Sequence, residues 1–320
     1  MFLIAVVLII LGVIIYLKLD CDLFLLWNTR FGKQPDSLKG KVVWITGCSS
    51  GIGEGLAHEF ASAGCRLILS ARRENLLNQV KQKCIELSEG KLSQDDILVL
   101  PMDLLDFKSH KSHAETVMKY FKKIDILVNN AGRSQRSLII DTSIDVDRQV
   151  MELDLLAPIS VTKAILPHMI GQGHGHIVCT SSVAGKIAAP GSGSYTAAKH
   201  GIQGFFDTLR IELAPKNISV TMACPGPVFS DALIHAFTGE PEQKLNVPME
   251  KSWGRMTARR CGYLMVVATV NKLHEVWITP CPELFYCYLF QYLPVLAKLL
   301  AVHLGQNRAN KVKTGQHNLH

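Results

Sequence analysis

The sequence predicts an α/β fold in which a single domain is built on a doubly wound parallel sheet. Two observations predict it: short apolar runs alternate with longer segments of helical periodicity, and each run ends in a glycine or polar turn. Ligands of such sheets bind beyond the carboxyl ends of the strands, so these turns are the expected position of a site. With 320 residues and 48% hydrophobic content, the chain can bury one large core, and no linker divides it.

Charge and cysteine content narrow the function classes. The net charge of +7 is spread along the chain, apart from a locally basic stretch at 308–313. No nucleic-acid motif is present, so we do not expect a nucleic-acid partner. The nine cysteines form neither a metal-binding spacing nor an even disulfide framework, which favours free thiols and predicts no metal site.

An uncharged, mostly aliphatic run occupies residues 1–17 and predicts a membrane anchor over residues 1–20. As a helix the run extends roughly 25 Å, against about 30 Å for the apolar core of a bilayer. No small-residue cleavage pattern follows it, so we expect a retained single-pass signal anchor rather than a removed signal peptide or a buried helix. The lysines and arginines that follow favour a cytosolic domain. Asp20 and Asp22 weaken that signal and a formal glycosylation sequon begins at Asn217, so the side of the membrane stays open.

The first predicted strand, residues 41–46, runs into a glycine turn and then into a helix over 54–63. The turn has Gly-x3-Gly-x-Gly spacing, which differs from the commoner Gly-x-Gly-x2-Gly fingerprint. Glycines at this position let backbone amides approach a pyrophosphate, which the amino end of a helix also attracts. Taken alone, the segment is equally compatible with a tight turn. The candidate cofactor residues here are Gly47, Ser49, Ser50, Gly51, Ile52 and Gly53.

The second predicted strand, residues 66–70, is followed by Arg72 and Arg73 and then by a helix over 74–87. Dinucleotide-binding folds place here an acidic residue for a free ribose hydroxyl or a basic residue for a 2′-phosphate. Two arginines with no carboxylate before Glu74 therefore favour NADP over NAD. The alternative is that both arginines are simply solvated at the start of a helix.

Two further strands are predicted over 97–102 and 124–128, and polar turns follow both of them. Asp103, after the first, is placed to accept a hydrogen bond from adenine. Asn130, after the second, is placed to fix the backbone beside the cofactor. Each of them alone is as well explained as a turn former.

The spacing Ser182-x12-Tyr195-x3-Lys199 is the centre of the functional interpretation. Ser182 follows a strand predicted over 176–180, and a helix predicted over 195–213 begins at Tyr195. Lys199 then lies one turn further along the same helix face, where its ammonium stabilises a phenolate. Tyr195 can thus exchange a proton with an alcohol or a carbonyl, while Ser182 hydrogen-bonds the same oxygen. A bare Tyr-x3-Lys is usually an exposed helix face, and the accompanying motifs are what give it weight.

The sixth predicted strand, residues 218–224, leads into a rigid proline and glycine turn that can place backbone amides beside a nicotinamide carboxamide. The irregular, polar stretch over 230–256 is the expected lid over the substrate. A last strand is predicted over 275–278. The candidate cofactor residues in this part are Pro225, Gly226, Val228 and Ser230.

Residues 281–320 are predicted to form an apolar helix and a basic tail. The aromatic, apolar part over 283–304 is interrupted by Pro294, Lys298 and His303. A second spanning helix is one interpretation of it. The interruptions and the interfacial tyrosines favour instead an amphipathic helix that lies on the membrane surface or forms a homodimer.

With these motifs in this order, the chain resembles the short-chain dehydrogenase/reductase superfamily, and within it the membrane-anchored microsomal branch. The match runs from about residue 41 to 278, within a domain expected over 40–280. The resemblance implies a Rossmann-type fold, NADP(H) as cofactor, the endoplasmic reticulum membrane, and carbonyl–alcohol interconversion on lipophilic steroids, retinoids or xenobiotic carbonyls.

The resemblance also implies roles for single residues. Tyr195 is the acid/base, Lys199 supports its phenolate and holds the nicotinamide ribose, and Ser182 orients the substrate oxygen. The positions implied to contact the cofactor are Ser50, Ile52, Asn130 and Ser230, the last standing where many members have threonine.

Asp154 departs from the family pattern. It lies in a helix predicted over 145–169, at the place of an active-site asparagine thought to hold a water that connects the lysine to solvent. An ionised Asp154 would stabilise the Lys199 ammonium but offset its field at Tyr195, whereas an Asp154 protonated by burial would have little effect. We expect the ionised form, because a nearby lysine should outweigh desolvation.

Two function classes therefore remain. The first is a membrane-anchored NADPH-dependent carbonyl reductase that also runs in reverse as an alcohol dehydrogenase. The second is a cofactor-binding scaffold or sensor with weak or lost turnover. The retained Ser182, Tyr195 and Lys199 favour the first class, and Asp154 keeps the second open.

Overall fold

The structure is a computed structural model that describes residues 16–249 and 255–313. Nine strands lie within these ranges. They are β1 (Val42–Thr46), β2 (Arg66–Ser70), β3 (Ile97–Val99), β4 (Ile126–Asn129), β5 (Gly175–Thr180), β6 (Ile218–Pro225), β7 (Val228–Phe229), β8 (Met256–Thr257) and β9 (Glu275–Ile278). Seven of them form one sheet in the order β3-β2-β1-β4-β5-β6-β9, and every pairing in it is parallel. The predicted doubly wound parallel fold is therefore confirmed.

Helices cover both faces of this sheet. They are α1 (Leu23–Phe31), α2 (Gly51–Ser62), α3 (Glu74–Leu87), α4 (His110–Phe121), α5 (Ile144–Met151), α6 (Ala157–Gly171), α7 (Gly193–Leu213), α8 (Ala258–Val270), α9 (Glu283–Tyr292) and α10 (Pro294–Lys313). Buried side chains of α2, α3 and α8 form the core on one face, and those of α4, α6 and α7 form the core on the other. A π-helical turn, Glu152–Leu156, joins α5 to α6.

Strand β1 shows why the strands appear in the sequence as continuous apolar runs. All five of its residues are buried, and they alternate between the two cores. Val43 and Ile45 pack on the α2 and α8 side, whereas Val42 and Trp44 pack on the α4 and α7 side. A parallel strand with helices on both faces needs apolar side chains in both directions. The Trp44 indole N–H is satisfied by Ser70 Oγ at 2.9 Å.

The buried carboxylate of Asp125 holds the amino-terminal edge of the sheet together. It accepts hydrogen bonds from the Val42 N–H at 2.9 Å and from Lys41 Nζ at 3.0 Å. It also lies 3.0 Å from Lys123 Nζ and 3.1 Å from His174 Nε2. Burial alone would raise the pKa of this carboxyl, but these donors outweigh burial and lower the pKa to about 2.

We expect Asp125→Asn to lower the free energy of unfolding by about 2 kcal/mol at neutral pH, because each unit of pKa shift corresponds to about 1.4 kcal/mol. A pKa that is depressed in the folded state contributes stability above the unfolded value of about 4, and that contribution is lost as the pH falls toward the folded value. Urea denaturation of the full chain between pH 7 and pH 2 measures it. Asp36→Asn is a control on an exposed carboxylate and should change little. A loss at Asp125 that stays the same at all pH values would contradict this origin.

The structure also contains elements that the sequence did not predict. Helices α1 and α8 were not anticipated, and neither was the two-stranded sheet of β7 and β8. The apolar stretch over 283–304, expected as one helix, is divided between α9 and α10 at Pro294. Proline has no amide hydrogen for a helix interior but fits the first helical position, so it ends one helix and starts the next. The expected basic tail continues α10 to Lys313.

The predicted anchor lies mostly outside the described residues, and its described end packs against the domain. Leu19 is buried beside Trp277 and Leu284. Asp20 forms an ion pair with Arg260 at 2.8 Å. Within the described ranges, the helical stretch 144–171 is long and apolar enough to span a membrane, but it is the α5–α6 segment of the core.

Candidate active site

All the residues selected from the sequence line a single cavity of about 780 Å³. Its volume falls in the range of about 300–1,000 Å³ that is typical of small-molecule and cofactor sites. The cavity lies at the carboxyl ends of the central strands, as expected for a doubly wound sheet. The selected residues that line it are Gly47, Ser49, Ser50, Gly51, Ile52, Gly53, Arg72, Arg73, Asp103, Asn130, Asp154, Ser182, Tyr195, Lys199, Pro225, Gly226, Val228 and Ser230.

The glycine turn between β1 and α2 is tight enough to require glycine. Gly47 has a φ of +67°, and a Cβ placed on it would lie 2.6 Å from the Cα of Ala131. A Cβ on Gly53 would collide with the backbone of the same turn. Gly51 begins α2, and among the described residues a Cβ on it would meet only Ser230, at 3.4 Å. The amino end of α2 is thus open to a phosphate, and the turn fits a dinucleotide.

Arg73 lies over this turn. Its Nη2 donates to Ser49 Oγ at 3.0 Å and to Ser50 Oγ at 3.4 Å. Arg72 lines the cavity beside it. Asp103 is exposed, and one of its carboxylate oxygens accepts the Leu105 N–H at 3.1 Å. The basic side chains therefore stand where a phosphate near the turn would meet them.

Asn130 joins the ends of three strands at the point where the strand order reverses. Its Nδ2 donates to the carbonyl oxygens of Thr46 and Gly47, both at 3.2 Å. Its Oδ1 accepts from Thr180 Oγ1 at 3.2 Å. These contacts fix the backbone around the glycine turn.

Lys199 and Tyr195 face the cavity from the first turns of α7. The Lys199 Nζ lies 5.5 Å from the centre of the Tyr195 ring. It donates to the Thr180 carbonyl at 3.2 Å and forms an ion pair with Asp154 Oδ2 at 3.3 Å. The helical spacing therefore does bring the ammonium close to the phenol, in a site where the lysine side chain is almost fully buried.

Ser182 follows β5, and its hydroxyl makes two local contacts. Its Oγ accepts the Ala184 N–H at 3.1 Å and donates to the Pro225 carbonyl at 3.3 Å. The next residue in that turn, Gly226, donates its N–H to the Ile278 carbonyl at 3.0 Å. A Cβ on Gly226 would collide with the Thr279 side chain. The turn is therefore held against β9 and keeps a fixed position beside Ser182.

Asp154 is fully buried on the π-helical turn between α5 and α6. Such one-turn bulges shift the register of a helix and are frequent at functional sites. The Asp154 Oδ1 accepts the Arg133 N–H at 2.8 Å. A Cβ on Gly132 would lie 2.9 Å from Oδ2, so the carboxyl needs glycine in the turn opposite it.

We expected the nearby lysine to influence the pKa of the Asp154 carboxyl more strongly than desolvation does. That expectation is wrong. Burial is the largest influence and raises the Asp154 pKa, although Lys199 and the Arg133 N–H oppose it. At Lys199, burial lowers the pKa, but the Asp154 carboxylate outweighs burial and the net pKa is raised. The pair therefore retains the ammonium at position 199 and makes the carboxyl less acidic than an ordinary aspartate.

Several lining residues were missed by the sequence analysis. Arg133 directly follows the Asn129–Gly132 turn and Arg136 lies three residues further on, and this position after a strand was a usable signal. The lid candidate over 230–256 does line the cavity, although it is described only to residue 249 and again from 255. The missed residues include Arg133, Arg136, His235, Phe237, Arg255 and Arg308.

Comparison with known protein families agrees with this geometry. The family described as short chain dehydrogenase matches residues 41–240, more than half of the chain. The chain belongs to this family. It is accordingly an oxidoreductase that uses a nicotinamide cofactor and a small-molecule substrate. The matched range contains the glycine turn, Ser182, Tyr195 and Lys199.

Relatives of this short-chain dehydrogenase are similar along nearly the whole chain. The human dehydrogenase/reductase SDR family member 7 is 44% identical over 313 residues, which cover 97% of this chain and 91% of the human protein. The protein of the same name from Mus musculus is 43% identical over 300 residues, covering 93% and 88%. The resemblance seen in the sequence motifs is therefore confirmed.

Solved structures show the same fold. An alcohol dehydrogenase from Thermococcus sibiricus, complexed with 5-hydroxy-NADP, superposes with a TM-score of 0.64 at 22% identity and covers 76% of this chain and 97% of its own. A short-chain dehydrogenase/reductase from Burkholderia phymatum, in complex with NAD, gives a TM-score of 0.69 at 23% identity, covering 81% and 95%.

Proposed function

We propose that this short-chain dehydrogenase is an NADP(H)-dependent oxidoreductase that interconverts a carbonyl and a primary or secondary alcohol on a lipophilic substrate. Steroids, retinoids and xenobiotic carbonyls are the expected substrate classes. The observation that carries the proposal is that Ser182, Tyr195 and Lys199 line the same cavity as the glycine turn. The 5.5 Å between the Lys199 Nζ and the Tyr195 ring centre gives the phenol a cation at short range.

In this proposal the side chains handle the proton. When bound, the reduced nicotinamide supplies a hydride to the carbonyl carbon. Tyr195 donates its phenolic proton to the carbonyl oxygen, and in the direction of oxidation it takes that proton back. Lys199 stabilises the phenolate that remains, because opposite charges attract strongly in a site from which water is largely excluded. Ser182 donates a hydrogen bond to the same oxygen and so orients the substrate.

The same proposal assigns the cofactor positions. The glycine turn and the amino end of α2 bind the pyrophosphate, and Asp103 accepts a hydrogen bond from adenine. Asn130 fixes the backbone beside the cofactor, and Tyr195 and Lys199 contact the nicotinamide ribose. The residues that complete the turn beside the nicotinamide are Pro225, Gly226, Val228 and Ser230.

Arg72 and Arg73 are proposed to select NADP through its 2′-phosphate. Replacing both with alanine is expected to raise the KM for NADPH by about tenfold or more, because a charge-assisted hydrogen bond contributes about 1.5–3 kcal/mol. The KM for NADH should hardly change, since NADH has no 2′-phosphate. Steady-state kinetics with both cofactors measure the difference, with the exposed Arg148→Ala outside the cavity as a control. Equal increases for the two cofactors would rule out this selection.

We also propose that the chain is attached to the endoplasmic reticulum membrane by residues 1–20, with the catalytic domain over 40–280 and a second contact from 281–320. In support, α1 and α10 carry exposed apolar side chains. These are Leu23, Phe24, Trp27 and Phe31 on α1, and Val295, Leu296, Leu299 and Val302 on α10. The Leu23 N–H donates to the Tyr288 hydroxyl at 3.2 Å, so α1 begins next to α9. A homodimer that covers α10 is the other partner that fits this surface.

Membranes from cells expressing the full chain provide the test of the function. They would be assayed with steroid, retinoid and quinone carbonyls and with either NADPH or NADH. We expect NADPH-dependent formation of the alcohol, above the level in membranes containing the Tyr195→Phe variant. NADPH binding without turnover of any carbonyl would support the scaffold or sensor class instead.

A further inference from the structure

A second group of cationic side chains lies in the cavity, near Tyr195 and apart from the glycine turn. It consists of Arg136 after β4, Arg255 before β8 and Arg308 on α10. After burial, the side chains that influence the pKa of Arg136 are those of Arg308, Tyr195 and Arg255. By contrast, the pKa of Arg133 is influenced, after burial, by Arg72 and Asp154. The cavity therefore has one cationic group toward the cofactor turn and another beside the phenol.

Arg136 is held in place but incompletely paired. Its Nη1 donates to Ser134 Oγ and Ser192 Oγ, both at 2.6 Å, and to the Gln135 carbonyl at 2.9 Å. Its Nε is buried and has no hydrogen-bond partner within the part of the chain that the structure describes. Burial, followed by the charge of Arg308, lowers the pKa of Arg136 to about 10. A buried guanidinium with an unpaired N–H group lowers the stability of the folded protein unless an anion pairs with it.

Arg308 reaches the same region from the carboxyl-terminal helix. Helix α10 packs on the loop that precedes Tyr195, because Gly305 stands against Pro190 and Val312 against Gly191. The Arg308 Nε is also buried, and it lacks a hydrogen-bond partner among residues 16–249 and 255–313. Burial lowers the Arg308 pKa, and the nearby Glu283 opposes that effect.

Among residues 16–249 and 255–313, no carboxylate pairs with the buried Nε of Arg136 or of Arg308. Glu283 lines the cavity as well, but burial is the largest influence on its carboxyl and raises its pKa, although the charges of Arg308 and Arg255 oppose that effect. Guanidinium groups bind carboxylates and phosphates in a planar, bidentate geometry, which two neighbouring arginines with free Nε groups are suited to provide. Apolar lining from Leu153 and Ile187 lies in the same cavity and suits a hydrocarbon body.

We infer that the substrate carries an anionic group in addition to its carbonyl, and that Arg136 and Arg308 bind this group while Tyr195 faces the carbonyl. This inference rests on the proposed carbonyl reductase function and narrows its substrate class. The ligand is an amphipathic oxo compound with a carboxylate or a similar anion, rather than a fully neutral lipid. The cofactor phosphates do not account for the two arginines, because the proposed phosphate site is the glycine turn, where Arg73 already lies.

Binding of unreactive probes tests the inference independently of turnover. Dodecanoate and methyl dodecanoate have the same chain and differ in charge, and each would be titrated by calorimetry into the purified full chain loaded with NADP⁺. We expect the carboxylate to bind about tenfold or more tightly than the ester, because only the carboxylate forms a charge-assisted contact with the guanidinium groups. Arg136→Gln and Arg308→Gln should each reduce that preference about tenfold. Arg308→Lys should keep part of the preference for the carboxylate, because lysine retains the positive charge but cannot form the planar, bidentate contact of a guanidinium.

Arg259→Gln is the matched control, because it removes one positive charge from an ion pair with Glu59 that lies outside this cavity. It should leave the preference unchanged. Equal affinity of the two probes in the wild type, or a preference that survives both glutamine variants, would overturn the inference. A kinetic arm with 12-oxododecanoate and its methyl ester then reports on the proposed function. Reduction of the ester alone leaves the function intact and overturns the inference, whereas anion-selective binding without reduction of either compound supports the inference and contradicts the function.

Discussion

Tyr195→Phe is expected to lower kcat by about a thousandfold, because a positioned general acid contributes roughly 10²–10⁴ to the rate. The change deletes one hydroxyl and leaves the ring that packs beside Lys199. The Kd for NADPH should therefore stay within about tenfold of the wild-type value, since the change removes one hydrogen-bonding hydroxyl. Stopped-flow measurement of the chemical step, together with fluorescence titration of NADPH, separates the two quantities.

Tyr120→Phe is a suitable control for the same deletion elsewhere. Its hydroxyl is on the surface, where it donates to the Asp95 carbonyl at 3.1 Å. It should not affect kcat. The loss of a general acid should lower turnover much more than about tenfold. If Tyr195→Phe kept more than about a tenth of the wild-type turnover, the assignment of Tyr195 would therefore be wrong.

Asp154→Ala is expected to lower the free energy of unfolding by about 3–5 kcal/mol, the cost of removing one partner of a buried ion pair. Among the residues that the structure describes, the Lys199 ammonium would keep the Thr180 carbonyl, at 3.2 Å, as its remaining hydrogen-bond partner. The Arg133 N–H would lose its acceptor as well. Because burial lowers the Lys199 pKa and Asp154 opposes that effect, the pKa of Lys199 should fall in the variant.

Asp154→Asn separates the contributions of charge and shape. Asparagine can still accept the Arg133 N–H, and burial already makes this carboxyl less acidic than usual, so its loss of stability should be clearly smaller than that of alanine. Urea denaturation of the wild type and both variants at pH 7 measures the three free energies of unfolding. Equal and small losses in the two variants would show that the pair contributes little to stability.

The sequence allowed the sheet to be predicted because each of its strands is covered by helices on both faces. Strand β1 shows this directly, since all five residues are buried and apolar or satisfied by local hydrogen bonds. Helix α8 was missed for a related reason. All its residues from Leu264 to Val270 are buried, so no polar face marks the helical period.

The site residues that lie in turns after strands could be predicted from the sequence. Those that reach the site through the packing of distant segments could not. The glycine turn and Asn130 directly follow a strand and Ser182 lies two residues after one, so the fold class alone brings them together. Arg308 reaches the cavity only because α10 packs on the loop before Tyr195, a contact between segments more than 100 residues apart. The Asp154 pKa likewise depends on how deeply the π-helical turn is buried, which no local pattern records.

The most direct test of carbonyl reduction at this site follows the hydride that NADPH transfers. The purified full chain would be supplied with NADPH deuterated at C4 and with an oxo substrate, and the alcohol product would be analysed by mass spectrometry. We expect one deuterium at the carbinol carbon when one of the two C4 positions carries the label and none when the other does, with Tyr195→Phe forming about a thousandfold less product because the proton donor is absent. NADPH bound in the cavity with no deuterium in any alcohol would contradict the assignment of this site to carbonyl reduction.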